Sequence, residues 1–216
     1  MEFKDRLDAA KSLYKLLKNE SIINEKSIVV SLLRGGTIIG DFLARKLKIK
    51  HFPLVSVKIS SPFNPELAIG AVCFNITHLN TRIINILNLT NKQISRQVKE
   101  AKKKFTNYCT RFNIEEKKFN FLKNKVIVLT DDGVATGSTL LATVDFIKTK
   151  DPQKIILALP VAPKDFHAEG VDKEVILYED SSLSAISQYY INFSQVEDEE
   201  IMALRSLKVL KINPKS

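Results

Sequence analysis

Apolar residues along the chain follow two rhythms. Near the start, Phe3, Leu7, Ala10, Tyr14 and Leu17 recur every three or four positions, which predicts an amphipathic helix within 1–19. Short, largely apolar runs follow at 27–33, 52–58, 125–131, 154–160 and 175–178. Runs of that length predict strands, most of them buried on both faces. Helical stripes lie between them. Ile38, Ile39, Phe42, Leu43 and Leu47 mark a helix from Thr37, and Leu140, Leu141, Val144 and Ile147 mark another over 137–149. Thr90 and Gln93 have capping-box spacing and open a long helix to about 112. Ser194 and Glu197 repeat that spacing before a stripe of Val196, Ile201, Leu204 and Leu207. The irregular stretch 59–90 carries short strands expected at 70–75 and 81–87. Strands alternating with helices predict an α/β fold, a mostly parallel sheet flanked by helices.

Length and composition narrow this picture. A chain of 216 residues fits one α/β domain with a real core. No apolar run approaches 18 residues, so no membrane span is expected. The charged start, Met1 to Arg6, lacks the apolar core of a signal peptide, and a cytoplasmic location is expected. Cys73 and Cys109 have no Cys-x-x-Cys partner, and His51, His78 and His167 lack metal spacing. The net charge of +9 raises nucleic-acid binding as a reading, but the basic residues are spread along the chain. Their densest cluster, Lys99 to Lys104, falls on the long helix and reads as a solvated face. A positive field also gathers a small polyanion.

The chemistry concentrates in Val126-Ile-Val-Leu-Thr-Asp-Asp-Gly-Val-Ala-Thr-Gly-Ser-Thr139. A buried strand delivers Asp131 and Asp132 at its carboxyl end, where open α/β sheets bind ligands. A loop of small residues, Gly133 to Gly137, then leads into a helix N-terminus, whose free N–H groups and dipole favour an anion. Thr136, Ser138 and Thr139 add hydroxyl donors. The loop suits a phosphate monoester. Two carboxylates do not; they suit a ribose diol or a hydrated Mg²⁺. A ribose 5-phosphate has both groups. The Walker lysine is missing after Gly137, and Gly133-x-x-x-Gly137 is not a dinucleotide fingerprint. A second strand–turn–helix, 27–33 followed by Arg34-Gly35-Gly36, places a forked cation at another glycine turn.

The segment 126–139 resembles the PRPP-binding motif of type I phosphoribosyltransferases (PRPP is 5-phosphoribosyl 1-pyrophosphate). Asn64-Pro-Glu-Leu-Ala-Ile-Gly-Ala71 and Phe193-Ser-Gln-Val196 resemble an uncharacterised phosphoribosyltransferase-like family, some members of which are fused to hydrolase domains. The likeness runs from about residue 3 to 205. It implies the type I fold, with a mobile loop and insertion at 59–90 and a hood from about 180–216 plus the N-terminal helix. It implies that Asp131 and Asp132 contact the ribose hydroxyls and Mg²⁺, directly or through water. Gly133, Val134, Ala135, Thr136, Gly137, Ser138 and Thr139 would line the PRPP site and hold its 5-phosphate. Arg34, Gly35, Gly36 and Lys58 would hold the pyrophosphate, with Arg34 and Lys58 as catalytic cations.

A non-proline cis peptide at Leu33–Arg34 or Arg34–Gly35, and a homodimer, are further implications. Leu33 stands where relatives tend to have proline, and Phe63 where glycine is expected. The implied reaction transfers phosphoribosyl to a nitrogenous base. Ala135 replaces the Asp of hypoxanthine–guanine enzymes, and the paired acids depart from uracil enzymes, so no base is selected. A PRPP- or nucleotide-sensing regulator of the same fold, able to bind nucleic acid, is the alternative.

Overall fold

The computed structural model describes residues 2–204. The expected helix is α1 (Arg6–Leu17), started by the Asp5 side chain accepting from the Asp8 N–H. Next come β1 (Ile28–Leu32), α2 (Gly35–Leu47) and β2 (Lys50–Leu54). A small antiparallel sheet follows, formed by β3 (Val57–Ser60), β4 (Ala68–Cys73) and β5 (Ile76–Leu79). Two helices, α3 (Thr81–Ile86) and α4 (Asn91–Phe112), lead to β6 (Val126–Thr130), α5 (Ser138–Lys148), β7 (Lys154–Ala162) and β8 (Lys173–Glu179). A short helix α6 (Asp198–Ala203) ends the described chain.

The main sheet has the order β2-β1-β6-β7-β8, and every pairing in it is parallel. This is the type I fold expected from the sequence. Side chains alternate across the sheet. Ile28, Val30, Leu32, Ile127 and Leu129 join the core beneath α4, α5 and the small sheet. Val29, Val126, Val128, Ile156 and Ala158 join the opposite core, beneath α1 and α2. Both faces are covered, so every position of β1 and β6 is buried.

The strand order reverses at the β1/β6 boundary. β2 lies to one side of β1, whereas β7 and β8 lie beyond β6. Turns leaving the carboxyl ends of two such neighbours open a crevice between them. The turns after β1 and β6 are the two singled out by their residues.

Three expectations need correction. The run 52–58 is two strands, because the chain leaves the main sheet after Leu54 and enters the small sheet at Val57. Pro53 sits on β2, an edge strand, where its missing N–H is tolerated. The stretch 81–87 is helical. The Asn80 side chain accepts from the Ile83 N–H at 3.1 Å, and this cap overrides the strand preference of Ile83 and Ile84. Ser194 opens no helix: α6 begins at Asp198 with Glu197 at its cap. The lysines from Lys99 to Lys104 are all exposed, as a solvated face requires, and Lys104 also lines a cleft with Arg34 and Lys58. The capping box at Thr90 is present as expected, while Leu207 and the rest of 205–216 lie outside the described residues.

Candidate active site

The two turns touch. A Cβ built on Gly35 would stand 1.8 Å from Asp132 Oδ2, and one on Gly36 would stand 2.6 Å from Asp131 Oδ1 and 2.7 Å from Asp131 Cα. Only glycine lets the arginine turn lie this close to the two acids. The peptide between Leu33 and Arg34 is cis, one of the two positions expected. Neither Arg34 nor Gly137 supplies a side-chain cap to the helix it starts, and at α2 the Gly36 N–H is met instead by the Asp131 carboxyl of the other turn. Gly137 caps α5 in the left-handed region at φ 74°, with the Phe166 ring 2.7 Å from where its Cβ would be.

Asp131 Oδ1 accepts from the Asp132 N–H at 2.9 Å. Burial, then the neighbouring Asp132 charge, pushes the Asp131 carboxyl well above the usual range, against the N–H groups of Asp132 and Gly36. Burial also raises Asp132, and Arg6 opposes it. Arg6 Nε lies 2.8 Å from Asp132 Oδ2, with both side chains nearly covered, at 11% and 12% exposure. Arg6 also donates to the Ser194 carbonyl at 2.8 Å and lies 3.9 Å from the centre of the Phe193 ring. The Tyr190 hydroxyl donates to the Asp132 carbonyl at 2.6 Å. Backbone bonds from Phe3 to Tyr189 and from Ile191 to Phe3 join the two ends of the chain beside this acid.

The loop after the acids has a buried half and an open half. Gly133, Val134, Gly137 and Ser138 are buried, with the Val134 N–H donating to the Val161 carbonyl at 3.0 Å. Ala135 and Thr136 are exposed. Thr139 is half-buried, and its carbonyl accepts from Ser56 Oγ at 3.0 Å.

Arg34 donates to the Val196 carbonyl at 3.2 Å and lies 3.5 Å from Asp198 Oδ1. Asp198 also pairs with Arg111 of α4. Lys58 sits on β3 of the small sheet, not at the end of a core strand. Its Nζ donates to the Glu66 carbonyl at 3.1 Å and lies 3.6 Å from the Glu66 carboxylate. Arg34, Lys58 and Thr139 line one cleft. The fold thus assembles the two turns, while Lys58, held by Glu66, shares only the cleft with them. Arg6 and Asp198 carried no local signal, since each acts on a turn distant in sequence.

Among the described residues no group of three or more metal-ligating side chains exists. Asp131 and Asp132 are nevertheless hard oxygen donors in a pair. That suits Mg²⁺, which keeps its waters and binds through one or two carboxylates and substrate phosphates. No helix among the described residues is long and apolar enough to cross a membrane.

A parallel sheet with two anion-receptive turns at its switch point, one acidic and one basic, is the arrangement expected of a sugar-phosphate site in an α/β protein. Residues 3–199 match the family described as the phosphoribosyl transferase domain, and the chain belongs to that family. Rv0571c and MT0597 of Mycobacterium tuberculosis, both provisionally assigned as phosphoribosyl transferases, are each 29% identical over 93% of this chain. The chain spans about half the length of these curated relatives, covering 46% of each. The crystal structure of TT1426 from Thermus thermophilus superposes with a TM-score of 0.68 at 26% identity, covering 96% of this chain and 99% of that one.

Proposed function

We propose that this protein is a phosphoribosyltransferase that binds PRPP with Mg²⁺ and transfers the 5-phosphoribosyl group to a nitrogenous base. The observation that carries the reading is the contact between Gly35-Gly36 and Asp131-Asp132. It brings the paired acids at the start of the α5 loop against the arginine turn, which supports reading them as parts of one PRPP site. Asp131 and Asp132 accept from the ribose hydroxyls. Gly133 to Thr139 cradle the 5-phosphate at the start of α5. Arg34, the Gly35-Gly36 turn and Lys58 take the pyrophosphate.

The bond from C1 to the pyrophosphate oxygen breaks, with positive charge developing on the ring, and a base nitrogen bonds to C1. The chain's part is to fix the ring, neutralise the leaving group and exclude water. Arg34 and Lys58 stabilise the departing diphosphate. Mg²⁺, held by the two acids and the substrate, supplies further positive charge when bound. The turn 61–67, between β3 and β4, closes over the centre, whereas residues 68–71, expected as part of this loop, belong to β4 and stay buried in the small sheet. The protein acts as a homodimer in the cytoplasm, with the hood formed by α1 and the chain from about 180.

A second reading has its own support. Arg6 occupies Asp132, and Asp198 lies against Arg34, so both charged turns already have internal partners. That suits a PRPP- or nucleotide-sensing regulator, whose ligand displaces those partners. A panel of purine, pyrimidine and other nitrogenous bases, assayed with PRPP and Mg²⁺ for pyrophosphate release, separates the two. Turnover with one base is the expected result. PRPP binding without turnover, together with salt-dependent binding to RNA or DNA, would select the regulator.

A further inference from the structure

The cleft that joins the arginine turn to β3 has a third wall. Its volume is about 310 Å³, and it runs from Leu33 and Arg34 past Ser56 and Lys58 to Thr139. α4 contributes Lys104 and Tyr108 to the same lining. Three cations line the space and no carboxylate does. Arg34 and Lys58 each lie near an acid, Asp198 and Glu66 respectively. The Lys104 side chain has no hydrogen bond or ion pair among the described residues. An adjoining hollow of about 330 Å³ shares Lys104 and Tyr108, adds Asn107 and Arg111, and again has no carboxylate in its lining. Lys104 therefore stands where two basic hollows meet.

We propose that Lys104 is a further diphosphate-binding residue, delivered by α4 to the cleft that holds Arg34 and Lys58. The inference rests on the PRPP reading and extends the site to an element outside both turns. A diphosphate carries several charges on a short span, and two cations that already share acids neutralise only part of them. A lysine ammonium on a long stem is a movable point charge that can follow the diphosphate. Tyr108 walls the same space. Lys104 is exposed, as are its neighbours Lys102 and Lys103, but these two line neither hollow. They contribute to the general positive field without contact.

That difference supplies the test. Inorganic pyrophosphate with Mg²⁺ is titrated into the full chain by calorimetry, for the native protein and for Lys104→Ala, Lys104→Arg and Lys103→Ala. Loss of one charge-assisted contact predicts about tenfold weaker binding for Lys104→Ala. Lys104→Arg should stay close to native, and Lys103→Ala should leave the affinity unchanged. Helical content by circular dichroism should be the same for all four. Equal weakening by Lys104→Ala and Lys103→Ala would overturn the assignment, because the effect would then be the field of the helix. Native affinity in Lys104→Ala, with PRPP still bound by the native protein, would overturn it while sparing the PRPP reading. Failure of the native protein to bind either pyrophosphate or PRPP would overturn both.

Discussion

The turn after β1 and the turn after β6 share one plan: a buried parallel strand, a glycine-containing turn and a helix start with no side-chain cap from its own N-cap residue. They differ in charge and in how that charge is held. Asp131 and Asp132 are tied down by their own backbone, by Arg6 and by Tyr190. Arg34 keeps 29% of its side chain exposed, and its partners come from the chain around α6. One scaffold, used twice side by side, thus yields a fixed acidic clamp and a cation steadied from outside its own turn. The contrast suits a ligand with a neutral diol at one end and a charged leaving group at the other.

The largest expected effect comes from forcing the turns apart. Gly35→Ala drives a methyl into the Asp132 carboxylate and the Arg6 side chain at once. Destabilisation of about 1–3 kcal/mol follows from such overpacking, and stabilisation by PRPP should vanish. Gly137→Ala is the milder counterpart in the acidic turn. It places alanine in the left-handed region, at a cost of about 1–2 kcal/mol, and meets only the Phe166 ring, a side chain able to shift. Thermal unfolding of both variants with and without PRPP ranks them. A larger loss of PRPP response in Gly137→Ala would break the argument that the site depends on contact between the turns.

A smaller and more specific effect concerns protonation. Burial raises the folded-state pKa of both acids above their unfolded values. Folding therefore takes up protons between those values, and the acids' cost to stability falls away as the pH drops through that window. Diol binding runs the other way, since hydroxyl donors need carboxylates. PRPP affinity should fall as the pH descends through the raised pKa, above the ordinary aspartate range of about 3.9. Arg6 holds Asp132 down, so Arg6→Gln should move that loss to higher pH while leaving some binding at alkaline pH. Affinity measured across pH checks this, and an unchanged profile in Arg6→Gln would remove Arg6 from the account.

Sequence pattern reached the parts of this molecule that are local. Each charged turn is written in about a dozen consecutive residues, and the parallel sheet follows from the spacing of apolar runs. The capping box of α4 is equally local. What pattern missed is long-range or competitive. Arg6 lies 126 positions from Asp132, and nothing around it marks it as a partner. The unbroken run 52–58 hid a change of sheet, because the crossover at Val55-Ser56 lacks a glycine or proline. At 81–87, β-branched residues outweighed a single asparagine cap in the reading, and the cap prevails in the fold. Lys104 is exposed, as pattern predicted, but that it shares a cleft with Arg34 and Lys58 depends on what α4 packs against.

The central claim is that Asp131 and Asp132 clamp the ribose of PRPP, and thermal unfolding of the native chain and of Asp131→Asn/Asp132→Asn tests it most directly. At about 100 times the dissociation constant, PRPP with Mg²⁺ should stabilise the native protein by about 2.7 kcal/mol. For a chain of this size that raises the midpoint by about 5–10 °C. The double variant should fold and show no shift. An unshifted native protein, or a double variant that responds to PRPP as the native protein does, would contradict the account.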